Sequence, residues 1–286
     1  DPDTWNLSSQ KLEKKLHKHR SMGLALPKVV VPVQFSGQPT EQERIWDLAK
    51  EYGFKVLEDA SHSIGATRNG EIVGSCRWSD ATVFSFHPAK IITTGEGGMV
   101  MTNDSDLSWK MSMLRTHGVT RDEERLQNEC SGPWYYEQQD LGFNYRMSDI
   151  HAALGYSQLS RLEEFVEKRN ILAQFYDSLL VDLPLKLPTI QQENRSSFHL
   201  YVIRLPTRNI PQKHRKVFEG LRSAGIGVNL HYMPVHLQPY YKKLGFAAGQ
   251  FPEAEAYGNE AITLPLFTDL SEVQQKRVVN VLSDLL

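Results

Sequence analysis

A lone lysine, Lys90, stands in the stretch SFHPAKIITTGEGG (residues 85–98), between two runs that read as buried strands, ATVFSF and GGMVMT. An acid, Asp59, ends another such run, FKVLED. In open α/β sheets, ligands gather beyond the carboxyl ends of the strands. An amine and a carboxylate at two such ends suit pyridoxal 5'-phosphate. That cofactor needs a lysine amine to hold its aldehyde and a carboxylate to keep its ring nitrogen protonated. The lysine then serves as proton shuttle once substrate has displaced it. A simple salt bridge at the domain surface is compatible with the same spacing.

The neighbouring signals are weaker. The GEGG turn after Lys90 lets backbone approach a ligand closely, and reads equally as a hairpin tip. The phosphate-loop pattern GxxxxGK[ST] is absent from the sequence. His62, in EDASHS, follows Asp59 closely and is by itself an ordinary surface or core histidine. His231 and His236, in HYMPVH, suggest a metal, but Pro234 lies between them and no third ligand is near in sequence, so no metal site is expected. GFNYRM (142–147) sets an amide and a guanidinium just before a helix signal, a position that favours anions.

These groups need elements to place them. KVVVPV (28–33), the helix TEQERIWDLAKEYG and FKVLEDA (54–60) read as a strand–helix–strand unit, which predicts parallel pairing. Thr40 and Glu43 fit a capping box, and Gly53 fits the helix stop. A helical pattern follows over 148–180 with Ser148 as N-cap, then a strand at 198–205 and a helix at 211–225. A strand-like run at 226–235 and a last helix opened by a Ser271–Gln274 capping box complete the chain. The loop over 120–142 is long enough to suggest function. The reading is an α/β chain with a large sheet domain over 1–165 and a smaller α+β domain over 166–286.

Composition narrows the function classes. The chain has 286 residues, 40% of them hydrophobic, and a net charge of −2. That balance points away from nucleic acid and anionic membrane. No apolar run reaches the ~20 residues of a membrane helix. The polar start DPDTWNLSSQ is not a signal peptide. Two cysteines, Cys76 and Cys130, form neither a disulfide framework nor a metal pattern, which fits inert thiols in the cytoplasm.

Taken together, EDASHSIG, DATVFSFHPAKIITTGEGGMVMTND and LGFNYRMSDIHAALGYSQL resemble the DegT/DnrJ/EryC1/StrS family, and the resemblance continues to VNLHYMPVHLQPYY and ITLPLF. It implies the aspartate aminotransferase fold, fold type I, and aminotransfer to nucleotide-linked keto sugars with pyridoxal phosphate. By position it implies that Lys90 forms the Schiff base, Asp59 meets the pyridine nitrogen and His62 lies beside the ring. Ser85 would contact the cofactor phosphate or the substrate. Asn144 would reach the phosphate of a neighbouring subunit's cofactor, hence a homodimer with shared sites. Arg146 would hold that loop or meet the substrate diphosphate, and Asn229, His231, Tyr232 and Tyr241 would line the sugar-nucleotide site. The implied substrates are a UDP-linked 4-keto-6-deoxy-N-acetylhexosamine and L-glutamate. GDP-perosamine-type and L-Ara4N-type aminotransferases are the alternatives within the family.

Two other readings stay open. Sugar dehydratases on this fold replace the lysine with histidine, whereas Lys90 occupies that place here and His87 does not. A nucleotide-sugar binder without activity is the other, because family members carry a further N-terminal segment that includes sheet strands, a phosphate-cradling helix end and a ring-stacking aromatic. An apparent lack of that segment predicts open sheet edges and exposed apolar surface.

Overall fold

The strand–helix–strand unit forms as a parallel crossover. A computed structural model of the protein describes residues 1–206 and 211–286, the side chains of 211 and 212 excepted. Helix α1 (Ser9–Ser21) leads to β1 (Val29–Val30), α2 (Gln42–Tyr52) and β2 (Lys55–Asp59). A small ribbon, β3 (Thr67–Arg68) and β4 (Glu71–Ile72), precedes β5 (Ala81–Ser85) and β6 (Gly98–Met101). The main sheet has the order β1-β2-β5-β6. β1, β2 and β5 run parallel, and β6 returns antiparallel to β5. Ile45, Leu48, Ala49 and Tyr52 of α2 bury one face against Phe54, Val56 and Leu16, which is why this unit holds its sheet. Pro32 cuts the first strand short, and only a single bridge, Val33 to Asp59, continues its pairing.

Next come α3 (Ser105–Leu114), the paired short strands β7 (Val119–Thr120) and β8 (Glu137–Gln138), α4 (Asp149–Leu159) and α5 (Leu162–Leu180). The helix expected over 148–180 is therefore two helices, broken at Ser160 and Arg161. Ser148 caps the first by accepting from the His151 amide. β9 (Asn194–Arg195) joins the ribbon, and β10 (Tyr201–Arg204) pairs antiparallel with β11 (Ala261–Leu264). α6 (Pro211–Ser223), α7 (Pro239–Lys243), α8 (Pro252–Glu260) and α9 (Glu272–Leu285) complete the order. The run 226–235 is not a strand; it touches β11 through one bridge, Asn229 to Thr263, and then turns into a short 3-10 helix.

Among the described residues there are four buried apolar clusters, the smallest around Leu200, Val202, Tyr257 and Ala261, and the other three carry these layers. One gathers Phe84, Phe86, Ile91, Ile92, Phe165 and Val166 beneath the Lys90 turn. Another packs α5, α6 and α9 against β10 and β11. The third is the α2 core described above. All four residues of β6, an edge strand of the main sheet, are exposed, as are Ile150 and Tyr156 on α4.

Candidate active site

The chain beyond β5 turns at once. The Lys90 amide donates to the His87 carbonyl at 2.9 Å, closing a four-residue turn. Pro88 occupies the second position, where its fixed φ suits the bend. The backbone then dives: Ile91 and Ile92 are buried in the core below. Lys90 is thus held between a turn and two apolar anchors, with its side chain half-buried at the mouth of the sheet. The connection from β5 to β6 spans residues 86–97, so GEGG is the end of a broad loop and not the tip of a tight hairpin.

Asp59 ends β2, beside Val83 of β5 in the pairing register. Its carbonyl accepts from the Gln34 amide at 3.0 Å, and its carboxylate accepts from the Ser61 amide at 3.0 Å. Among the described residues no carboxylate comes within ion-pair distance of the Lys90 ammonium, so the simple salt bridge is not formed. Burial lowers the Lys90 pKa, and the Asp59 charge opposes that shift. The amine is easier to deprotonate than one in water and still lies within reach of the carboxylate's field.

Two neutral imidazoles frame this pair. The Ser36 amide donates to His62 Nδ1 at 3.3 Å, so the ring proton sits on Nε2, 3.3 Å from the Tyr232 hydroxyl. Burial, helped by the positive charge of Lys90, pushes the His62 pKa down to about 3. Asn229 Nδ2 can only donate, so His231 Nε2, 3.3 Å away, accepts, and Nδ1–H meets Thr263 Oγ1 at 2.9 Å. Burial and then Lys90 lower the His231 pKa as well. Burial and then the Asp59 charge raise that of Tyr232. The Lys90 charge acts on both histidines, and the Asp59 charge acts on His62 and Tyr232. Lys90, Asp59, His62, His231 and Tyr232 therefore share one electrostatic neighbourhood, bordered by Asn229.

Among the described residues, no hydrogen bond or ring contact joins the other candidates to that group. Ser85 ends β5 and its hydroxyl accepts weakly from the His87 amide at 3.5 Å. Asn144 is exposed and pairs through one backbone bridge with Thr116. Arg146 is exposed nearby. Tyr241 belongs to an aromatic cluster with Tyr240 and Phe246. His236 pairs with Glu255 at 2.9 Å, and among the described residues no group of three or more potential ligands could hold a metal ion. Of the cysteines, Cys76 is buried and Cys130 exposed, and they are not bonded to each other.

Sequence reasoning passed over three contributors. His199 packs on His62 with the rings tilted and their centroids 4.5 Å apart, and burial drives its pKa well down. Phe35 packs on both His62 and Tyr232. The Tyr257 hydroxyl donates to the His231 carbonyl at 2.7 Å. No local pattern marks any of the three, since each acts through a partner distant in the chain.

These residues fit pyridoxal phosphate. A half-buried amine, a carboxylate on the adjoining strand end and an uncharged aromatic imidazole beside them match the aldehyde, ring nitrogen and ring face of the group.

Comparison with known proteins accords with that fit. The DegT/DnrJ/EryC1/StrS aminotransferase family matches residues 1–283. The UDP-4-amino-4,6-dideoxy-N-acetyl-beta-L-altrosamine transaminase of Campylobacter jejuni is 35% identical over 283 residues, covering 98% of this chain and 70% of its own. The structure of Helicobacter pylori PseC, an aminotransferase involved in the biosynthesis of pseudoaminic acid, superposes with a TM-score of 0.86 at 30% identity, over 98% of this chain and 70% of PseC. The PLP form of a sugar aminotransferase, Spr1654 of Streptococcus pneumoniae, gives 0.85 at 27% identity, over 100% of this chain and 74% of that one.

Proposed function

Because the chain belongs to the DegT/DnrJ/EryC1/StrS aminotransferase family and is a sugar aminotransferase dependent on pyridoxal phosphate, we propose that it moves an amino group from L-glutamate to C4 of a UDP-linked 4-keto-6-deoxy-N-acetylhexosamine. The carrying observation is the half-buried Lys90 amine facing the field of Asp59 between neutral histidines. The preference for this sugar rests on the likeness to the C. jejuni and H. pylori proteins. In this reading residues 1–165 hold the cofactor, 166–286 form the smaller domain, and the reaction is cytoplasmic.

When bound, the cofactor accepts the amino group at its aldehyde carbon and the released electron pair in its ring. The chain's own residues do the rest. Lys90 Nζ would hold the aldehyde and, once released, would take or return the proton at the donor's Cα. Burial favours the uncharged amine that must accept that proton. Asp59 keeps the ring nitrogen protonated. His62, neutral and fixed by Ser36, presents a ring face without adding positive charge. Ser85 contacts the phosphate or the substrate. Asn229, His231, Tyr232 and Tyr241 receive the sugar nucleotide, with Arg146 near its diphosphate.

The test is a product assay. The protein, cofactor and glutamate are incubated with a panel of UDP- and GDP-linked 4-keto-6-deoxy sugars and a UDP-linked 4-keto pentose, and products are read by mass spectrometry. Amination of the N-acetylated UDP sugar is the expected result. Amination of a GDP or UDP-pentose ketone alone would replace this substrate with one of the family alternatives.

Asn144 is assigned to a neighbouring copy's site, in a homodimer with shared sites. Lys90→Ala and Asn144→Ala homodimers are then each dead or weak. A hybrid of the two contains one site with both lesions and one with neither, and recovers up to about half of the wild-type sites. No recovery, with hybrid formation confirmed by two affinity tags, rejects the shared-site arrangement.

A further inference from the structure

Glu58 precedes Asp59 on β2, so its side chain leaves the opposite face of the strand. It is 4% exposed, a position seldom given to an unpaired carboxyl. Oε1 accepts from Gln34 Nε2 in a short contact, and Oε2 accepts from Thr82 Oγ1 at 3.0 Å. Thr82 is its register partner on β5. Gln34 lies on the stretch after β1, and its backbone amide already donates to the Asp59 carbonyl. The two residues after Gln34 are Phe35, packed on His62, and Ser36, whose amide fixes the His62 tautomer. Ser36 holds a positive φ of 58° and Gly37 one of 102°, so this turn is costly for a non-glycine residue and must be held from outside.

We propose that Glu58 is a positioning residue: from behind the sheet it ties Gln34 to Thr82 and thereby fixes both the end of β2 that carries Asp59 and the Phe35–Ser36 turn that fixes His62. The proposal rests on the functional reading above in taking Asp59 and His62 as working groups. Glu58 itself touches neither substrate nor cofactor.

The protonation of Glu58 enters through the same contacts. Burial pushes its carboxyl up to about 7, against the hydrogen bonds from Thr82 and Gln34. The groups facing its pocket are Glu43 of α2, Arg68, Glu71, Cys76 and Arg77. Glu43 pairs with Arg68, Glu71 pairs with Arg77, and none forms an ion pair with Glu58. The protonated acid needs an acceptor, and Gln34 Oε1 is buried without a partner. Rotation of that amide supplies one. With the folded pKa raised from an ordinary 4.5 to about 7, this group's contribution to stability is greatest below 4.5 and is lost as pH rises to about 7.

The test uses three variants of the full chain, read without cofactor or substrate. Glu58→Leu fills the space and removes the tether. Gln34→Ala cuts it at the other end. Glu58→Gln keeps an acceptor for Thr82 and offers an N–H to the unpartnered Gln34 oxygen. Nitrogen-15 spectra report the His62 tautomer, and hydrogen exchange reports the Ser36 amide. Glu58→Leu and Gln34→Ala are expected to speed Ser36 exchange by on the order of tenfold and to shift the His62 signals. Glu58→Gln is expected to restore both and to remove the fall in stability between pH 4.5 and about 7. Wild-type exchange and His62 signals in either folded tether-cut variant overturn the proposal, as does a Glu58→Gln protein that behaves like Glu58→Leu. Because these readouts need no sugar, they fail or hold independently of the substrate assay.

Discussion

Lys90→Ala is expected to lower turnover by at least ~10³-fold, the combined loss of a covalent anchor and a positioned proton carrier. The fold should survive, because among the described residues no hydrogen bond or ion pair involves the Lys90 side chain. Thermal unfolding should therefore match the wild type within about 1 kcal/mol. Lys90→Arg should fail as fully: a guanidinium stays protonated and cannot attach to the aldehyde. Borohydride reduction of the loaded wild type, followed by peptide mapping, should find the cofactor on the peptide containing Lys90. A cofactor fixed to any other lysine, or an Ala variant that turns over, removes Lys90 from the reaction.

The second large effect is on stability. Arg204 on β10 sends Nε and Nη2 to the same oxygen of Glu260, at 3.1 and 2.8 Å, and Nη1 to the Pro2 carbonyl at 3.0 Å. The side chains are only 6% and 9% exposed. Breaking such a pair strands the partner's charge in the interior, at a cost of about 3–5 kcal/mol. Glu260→Ala should thus lower the unfolding free energy by that amount and the melting temperature by roughly 10 °C. Removing both charges, with Arg204→Met and Glu260→Leu together, should recover most of the loss, because no unpaired charge remains. Chemical denaturation of the single and double variants checks this. A double variant as weak as Glu260→Ala would mean that the strands depend on the ion pair itself.

Local chemistry explains what the sequence made legible. Gly53 takes the left-handed conformation at φ 78°, Ser148 caps α4, and Ser271 and Gln274 form the full capping box of α9. Each involves residues within one helical turn, where the pattern is the cause. The Thr40–Glu43 box did not form. Thr40 bonds instead to the Gln42 side chain, and Glu43 turns to Arg68 and Asn69, partners that only the folded chain brings close. The break between α4 and α5 carries no glycine or proline to announce it. The site shows the same division. Lys90 and Asp59 were readable because strand ends and turn residues mark their places. His199 was not, because its role depends on contact with His62 across the fold. Nor was Glu58, which reads as an ordinary strand-end acid beside Asp59 until its burial is seen.

The neutral imidazoles of the site have a consequence for enzymology. With its pKa at about 3, the His62 ring neither gains nor loses a proton over the ordinary assay range of about pH 5 to 8. A bend in a rate–pH plot across that range is therefore not the signature of His62, although that is where a histidine is habitually invoked. A group whose pKa does fall in that range is the hidden acid of Glu58, at about 7, which sits behind the sheet and never meets the reactants. A buffer scan then reports on the scaffold as well as on the chemistry, and the part of a bend that disappears in Glu58→Gln belongs to the scaffold.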